Sequence, residues 1–266
     1  MTAIIEVRNL TRRFGAQTAV NNVSFTVERK EVFGLLGPNG AGKSTTIKML
    51  TTLLPPTSGE ARVNGFDILR QKADVRRSIG YVPQALSADG NLTGYENLLL
   101  FAKLYDIPRK LQPARVHDAL AFVGLGEASN KLVQHYSGGM IRRLEVAQSL
   151  LHEPRVLFLD EPTVGLDPVA RQAIWDHLTR LRDETEMTIF LTTHSMEEAE
   201  SLCNRIGIMH RGDIVALDTP DNLKAIVGGE HTTLNDVFVH YAGDALETGG
   251  SYRETAKARR AARRLG

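Results

Sequence analysis

The run Gly37-Pro38-Asn39-Gly40-Ala41-Gly42-Lys43-Ser44 satisfies the pattern G-x-x-x-x-G-K-[ST] at every defined position. The chemistry open to such a run is phosphate binding. Glycines at 37, 40 and 42 allow backbone angles closed to other residues, so successive N–H groups can turn inward as an anion nest. A helix opening directly after the loop adds its N-terminal amides and the positive end of its dipole at the same spot. In this arrangement Lys43 bridges the β- and γ-phosphates, the Ser44 hydroxyl ligates Mg²⁺, and Thr45 reaches the α-phosphate. The ligand implied is a nucleoside triphosphate. An ordinary glycine-rich turn is the alternative.

A second group of residues argues against that alternative. Arg155-Val156-Leu157-Phe158-Leu159-Asp160-Glu161 places two carboxylates after four apolar residues. This is the pattern of a buried parallel strand that delivers acids at its C-terminal edge, where ligands bind in open α/β sheets. Asp160 is suited to hold Mg²⁺ through a water, and Glu161 to orient or deprotonate an attacking water. A solvated acidic turn before Pro162 would explain the pair taken alone, but less well beside a phosphate loop.

The elements that must position these groups are legible in outline. Glu31 to Leu36 reads as a buried strand entering the loop, and Ser44 to Leu54 as the helix leaving it, with apolar Ile47, Met49, Leu50, Leu53 and Leu54. Residues 2 to 30 alternate apolar and polar and predict antiparallel strands joined by a turn at Gly15. Residues from about 86 to 150 read as mostly helical, a subdomain inserted between the two halves of the site. From Val156 the strand and helix alternation returns, with Thr188 to Thr192 as a strand and Met196 to Cys203 as a helix. That alternation implies a mostly parallel sheet.

Composition fits one large α/β domain or two smaller lobes: 266 residues, 42% hydrophobic and 24% charged. A net charge of +1 gives no global reason to expect nucleic acid. No run approaches the roughly 18 to 20 apolar residues of a membrane span, and Met1 to Arg13 lacks the apolar core of a secretion signal. A cytoplasmic location is therefore expected. Cys203, the single cysteine, cannot form an internal disulfide and reads as a buried apolar filler.

Between these regions lies Tyr136-Ser137-Gly138-Gly139-Met140, followed by Ile141-Arg142-Arg143-Leu144-Glu145-Val146-Ala147. Ser137 is a good N-cap, and Gly138 and Gly139 leave the first amides of the following helix bare, a second phosphate site without a lysine. With this segment the chain resembles the ATP-binding subunits of ABC transporters, whose signature is usually spelled Leu-Ser-Gly-Gly-Gln. The resemblance covers about residues 4 to 226. It implies a P-loop NTPase of the α/β class with a mostly parallel central sheet, an N-terminal antiparallel β-subdomain and an inserted α-helical subdomain. Residues 1–226 would form the nucleotide-binding domain, with the helical subdomain at about 86–150.

The resemblance also implies roles. Phe14 matches the aromatic that stacks on adenine, where the family more often has tyrosine; a core aromatic is the alternative. Gln84, in Tyr81-Val82-Pro83-Gln84, matches the glutamine that reaches Mg²⁺ and the attacking water and links the site to the helical lobe. Asp167, in Gly165-Leu166-Asp167, matches the aspartate that helps join two subunits, and His194 the histidine that touches the γ-phosphate. In the family each nucleotide lies between the phosphate loop of one subunit and the signature of the other. ATP would thus close a head-to-tail dimer, with Ser137 and Gly139 of the second copy capping the γ-phosphate.

Closer features narrow the resemblance. The signature followed by Arg142-Arg143-Leu144, the run Leu50 to Gly59, and Leu234-Asn235-Asp236-Val237-Phe238 look like the daunorubicin-resistance type of exporter ATPase. That similarity implies ATP hydrolysis powering a separate ABC-2-type membrane permease, with this chain peripheral on the cytoplasmic face. An ABC-type ATPase acting on ribosomes or DNA is the alternative, disfavoured because such relatives usually carry two nucleotide domains or a long coiled coil. Residues 227–250 read as a short C-terminal extension. Residues 251–266 carry Arg253, Lys257, Arg259, Arg260, Arg263 and Arg264 against Glu254, a tail read as disordered or as lying on an anionic membrane surface.

Overall fold

A computed structural model describes residues 3–228 and 232–243. Strands β1 (Ala3–Phe14) and β2 (Gln17–Glu28) form a hairpin, turned at Gly15 with a left-handed φ of 57°. Val23, Phe25 and Val27 alternate inward along β2 while Ser24 and Thr26 face out, as a sheet with one covered face requires. Strands β4 (Ser58–Val63) and β5 (Phe66–Asp67) complete a four-stranded antiparallel sheet of order β2-β1-β4-β5, with β3 (Val32–Leu36) and helix α1 (Lys43–Leu50) between β2 and β4 in sequence.

Helix α2 (Lys72–Ser78) leads into β6 (Ile79–Val82). The helical insertion follows as α3 (Gly94–Leu104), α4 (Gln112–Phe122), a 3₁₀ turn at Val133–His135, and α5 (Gly138–Leu150). The chain then alternates through β7 (Val156–Asp160), α6 (Pro168–Glu184), β8 (Thr188–Thr193), α7 (Met196–Leu202), β9 (Arg205–His210), β10 (Asp213–Asp218), α8 (Pro220–Val227) and α9 (Leu234–Gly243). Strand order in the second sheet is β10-β9-β3-β8-β7-β6, parallel except for the β9–β10 pair. Every residue of β3, β7 and β8 is buried, which explains their continuous apolar runs.

A row of rings joins the two sheets. Phe25 of β2 stacks on Phe33 of β3 at 5.4 Å, Phe33 meets Phe190 of β8 at 5.4 Å, and Phe190 meets Phe158 of β7 at 5.4 Å. On the other face of the parallel sheet, α6, α7 and the C-terminal helices cover a second core, to which Leu223, Leu234 and Val237 contribute. The helical insertion has a core of its own around Leu98, Val116, Leu120, Tyr136 and Leu144. Cys203 is buried as expected, and burial, with the Glu198 and Glu31 charges, pushes its thiol well above the ordinary range.

One expected element is shorter than the sequence suggested. Helix α1 stops at Leu50, not Leu54: Thr52 takes a left-handed φ of 65° and Leu53 is 59% exposed. The left-handed Thr52 makes the stop: it turns the chain so that Leu54 N–H bonds back to Lys48 O at 2.9 Å, and Pro55 and Pro56 then bar a return to helix. Among the described residues no helix is long and apolar enough to cross a membrane. The basic segment 251–266 lies outside the described residues.

Candidate active site

The loop after β3 leaves the C-terminal edge of the parallel sheet, between β8 on one side and β9 on the other. Its amides are fixed from both sides: Gly37 N–H donates to Thr193 O at 3.2 Å, and Ala41 O accepts from Gly212 N–H at 2.9 Å. Gly42 has a φ of 111°, and a Cβ there would strike the Ala19 carbonyl and lie 2.6 Å from the Met209 methyl. Only glycine fits between β2 and β9 at that point. Gly42 also caps α1 without any side-chain bond, and the first turn carries no acid, so the positive helix end is left for an anion.

Two clusters of side chains meet under this loop. In the first, the Lys43 ammonium is buried, donates to the carbonyls of Gly37 at 2.8 Å and Pro38 at 3.1 Å, and pairs with Glu161 Oε1 at 3.2 Å. The other carboxylate oxygen of Glu161 accepts from Gln84 Nε2 at 3.0 Å and lies 3.4 Å from His194 Nδ1. In the second, Asp160 Oδ1 accepts from Ser44 Oγ at 2.9 Å and from Thr192 Oγ1 at 2.6 Å. Tyr81 on β6 feels the same carboxylate: burial and then the Asp160 charge push its phenol up to about 12.

Glu161 takes a left-handed φ of 50°, a conformation that costs a non-glycine residue of order 1 kcal/mol. Its amide, which donates to both the carbonyl and the hydroxyl of Thr192 at 3.1 Å, helps hold it there. The turn that follows is closed by Val164 N–H on Glu161 O and Leu166 N–H on Thr163 O, and delivers Asp167 to the start of α6. Asp167 caps that helix through Ala170 N–H at 2.9 Å, just as Ser137 caps α5 through Met140 N–H at 3.2 Å.

The sequence-derived site residues thus fall into separate groups. Lys43, Ser44, Gln84, Asp160, Glu161 and His194 come together, with the Gly37, Pro38, Asn39, Gly40, Ala41 and Gly42 loop above them. Thr45 is half-buried on α1. Ser137, Gly138, Gly139 and Asp167 form another group, where Gly139 packs so closely on α6 that a Cβ would lie 2.7 Å from that of Ala170. Among the described residues no hydrogen bond or ion pair joins this group to the Gly37–Ser44 loop. Phe14 is 47% exposed with the Arg12 guanidinium 4.5 Å from its ring centre, which excludes the core-aromatic alternative.

Three contributions escaped the sequence reading. Thr192 bonds Asp160, and the two threonines that end β8 after Ile189-Phe190-Leu191 are its only signal. Glu198 on α7 accepts from Thr163 at 2.8 Å and Trp175 at 3.1 Å, tying the helix after His194 to the turn after Glu161. Arg142 and Glu145 form a buried ion pair on α5.

The oxygen donors Ser44 and Asp160 suit a small hard cation. Among the described residues no group of three or more His, Cys, Asp or Glu could hold a metal by itself. A donor set this sparse fits Mg²⁺, which usually relies on one or two carboxylates together with substrate phosphates and waters.

A glycine-rich loop opening a helix at a sheet switch point, with buried acids beside it, defines a P-loop nucleotide-binding domain. The family model for "ABC transporter" matches residues 20–164. The chain is 40% identical to the linearmycin resistance ATP-binding protein of Bacillus subtilis, over 85% of this chain and 73% of that one. It is 41% identical to a daunorubicin resistance ATP-binding protein of Streptomyces coeruleorubidus, over 90% of this chain and 74% of that one. A solved dimeric ATP-binding cassette, in a post-hydrolysis state bound to ADP and Pi, superposes with a TM-score of 0.73 at 25% identity, over 81% of this chain and 98% of that one. The chain belongs to the ABC transporter family and is one of its ATP-binding, ATP-hydrolysing subunits.

Proposed function

We propose that this chain hydrolyses ATP as a head-to-tail dimer and powers a separate ABC-2-type membrane permease, in the direction of export. The observation that carries the reading is the environment of Glu161, a buried carboxylate held by Lys43, Gln84 and His194 beneath the phosphate loop. The loop amides and Lys43 bind the phosphates, and Phe14 supplies a face for the base. Ser44 and Asp160, with Gln84 at the edge, would hold Mg²⁺. When bound, that ion neutralises phosphate charge. Glu161 takes the proton of the attacking water, Gln84 orients it, His194 touches the γ-phosphate, and transfer runs by positioning and electrostatics without a covalent intermediate.

Residues 1–226 act as the nucleotide-binding domain, with the insertion at about 86–150 and a short extension after 226. The bare helix end at Ser137 to Gly139, with Asp167 beside it, meets the nucleotide of the second copy. The drug-resistance names of two relatives support an export role, and the dimeric cassette supports pairing of two copies. Attachment through the permease puts the chain on the cytoplasmic face of the membrane.

The test is to tag a Glu161→Gln variant, extract cells in mild detergent with ATP and Mg²⁺, and identify what co-purifies. A multi-span membrane protein is the expected partner. Ribosomes or nucleic acid without a membrane protein would reject the transport reading and leave the ATPase.

A further inference from the structure

Gln84 has its backbone in one layer of the molecule and its side chain in another. Strand β6 leaves the parallel sheet at Val82, and from the next residue the backbone is held by helices. Arg142 on α5 donates from Nη1 to Pro83 O at 2.6 Å and from Nη2 to Gln84 O at 2.7 Å. Glu145, almost one turn further along, binds Arg142 Nη1 at 3.0 Å and accepts from both the amide and the hydroxyl of Ser87. Asn97 of α3 continues the attachment by bonding both backbone groups of Asp89. The Gln84 side chain points the opposite way, to Glu161 at the end of β7.

Stability alone does not account for the charged pair. Both side chains are 2% exposed, and a buried ion pair contributes little over apolar residues of the same volume. Its geometry is specific instead: one planar fork reaches two successive carbonyls and a carboxylate at once, which a lysine cannot do. The same helix begins at Ser137 to Gly139, so Arg142 lies one turn from the signature glycines.

We propose that Arg142, oriented by Glu145, is a positioning residue for ATP hydrolysis: it makes the Pro83–Ser87 backbone part of the helical layer, so the placement of α5 sets the contact between Gln84 and Glu161. A displacement of the Ser137 end of α5 is then delivered to Gln84 through two hydrogen bonds rather than through a flexible linker. The inference rests on reading Glu161 as the residue that activates water.

The test is a double-mutant cycle in the full chain: wild type, Arg142→Lys, Gln84→Ala and the double variant, with kcat and the Kd for ATP measured separately. Lysine keeps the buried charge and loses the fork. Arg142→Lys is expected to lower kcat about tenfold with Kd within about twofold, and to have no further effect on kcat once Gln84 is alanine. Multiplicative losses in the double variant, or an unchanged kcat in Arg142→Lys, overturn the proposal. If Arg142→Lys does not fold, Glu145→Gln, which keeps one acceptor oxygen for Ser87 and sets an amide NH2 in place of the carboxylate oxygen that binds Arg142, replaces it in the cycle under the same two criteria. Glu161→Gln run alongside separates the two readings. Normal turnover there removes the Glu161 assignment and the proposal with it, whereas an inactive Glu161→Gln beside an unaffected Arg142→Lys removes only the positioning role.

Discussion

The surroundings of Glu161 and of Ser137 differ in how much of their bonding capacity is already used. Around Glu161 the groups hold one another: a buried cation, an amide and an imidazole converge on one carboxylate, and the loop carbonyls bind the same lysine. Around Ser137 the side-chain bonds are local, the caps by Ser137 and Asp167 and the Tyr136 hydroxyl on Ala128 O at 2.7 Å, and glycine lets α5 pack closely against α6. Substitution in the first region therefore alters a buried set of charges. In the second it acts through shape and the exposure of backbone amides.

The largest expected effect lies in the first region. Glu161→Gln keeps the shape and removes the proposed base, and kcat should fall by about 10²–10⁴-fold while ATP still binds. Normal steady-state turnover in that variant would reject the assignment. Next, Lys43→Ala removes the ammonium from the loop, and ATP affinity by calorimetry should drop on the order of 100-fold. Unchanged affinity would mean that the loop amides bind phosphate without it.

In the second region the two glycines should separate. Gly139→Ala must push against Ala170, 2.7 Å away, and should cost about 1–3 kcal/mol in thermal unfolding. Gly138→Ala meets nothing nearer than Leu166 at 3.6 Å and should leave Tm almost unchanged. Equal losses would show that close packing is not what sets Gly139 apart.

The smallest effect is a pH dependence outside both regions. His152 stacks on Tyr105 at 3.8 Å and hydrogen-bonds Ile79 O at 2.9 Å; burial lowers its pKa from 6.5 despite that bond. The unfolded chain therefore takes up this proton first, so the stabilising contribution is present above about pH 6.5 and is lost as pH falls below it. Thermal unfolding at pH 7.5 and 5.5 should show a smaller drop in Tm for His152→Phe than for wild type. Equal drops would assign the acid sensitivity to other groups.

Much of the region around Glu161 was legible because its requirements are local. Loop glycines, a lysine and a hydroxyl stand next to one another in sequence, and the acids follow directly on an apolar strand, so adjacent residues already define the backbone and the chemistry. Gln84 and His194 carried no such local signal and were found by resemblance to a family. The apolar Leu53 and Leu54 suggest a helix four residues longer than α1, because nothing along the chain announces that Thr52 takes a left-handed φ of 65° and ends the helical bonding. Thr192, Glu198 and the Arg142–Glu145 pair gave little local cue, since a buried polar residue is recognised by its partner.

By itself, the sequence determined the phosphate loop, the strand that presents Asp160 and Glu161, and the order of sheet and helix, because each depends on neighbours along the chain. Only the tertiary structure decided that Lys43 pairs with Glu161, that Gln84 is held by α5 while its amide reaches β7, and that Gly139 meets Ala170. Those contacts join residues far apart in the chain, and the need of each buried polar group for a partner is met only when the layers have packed.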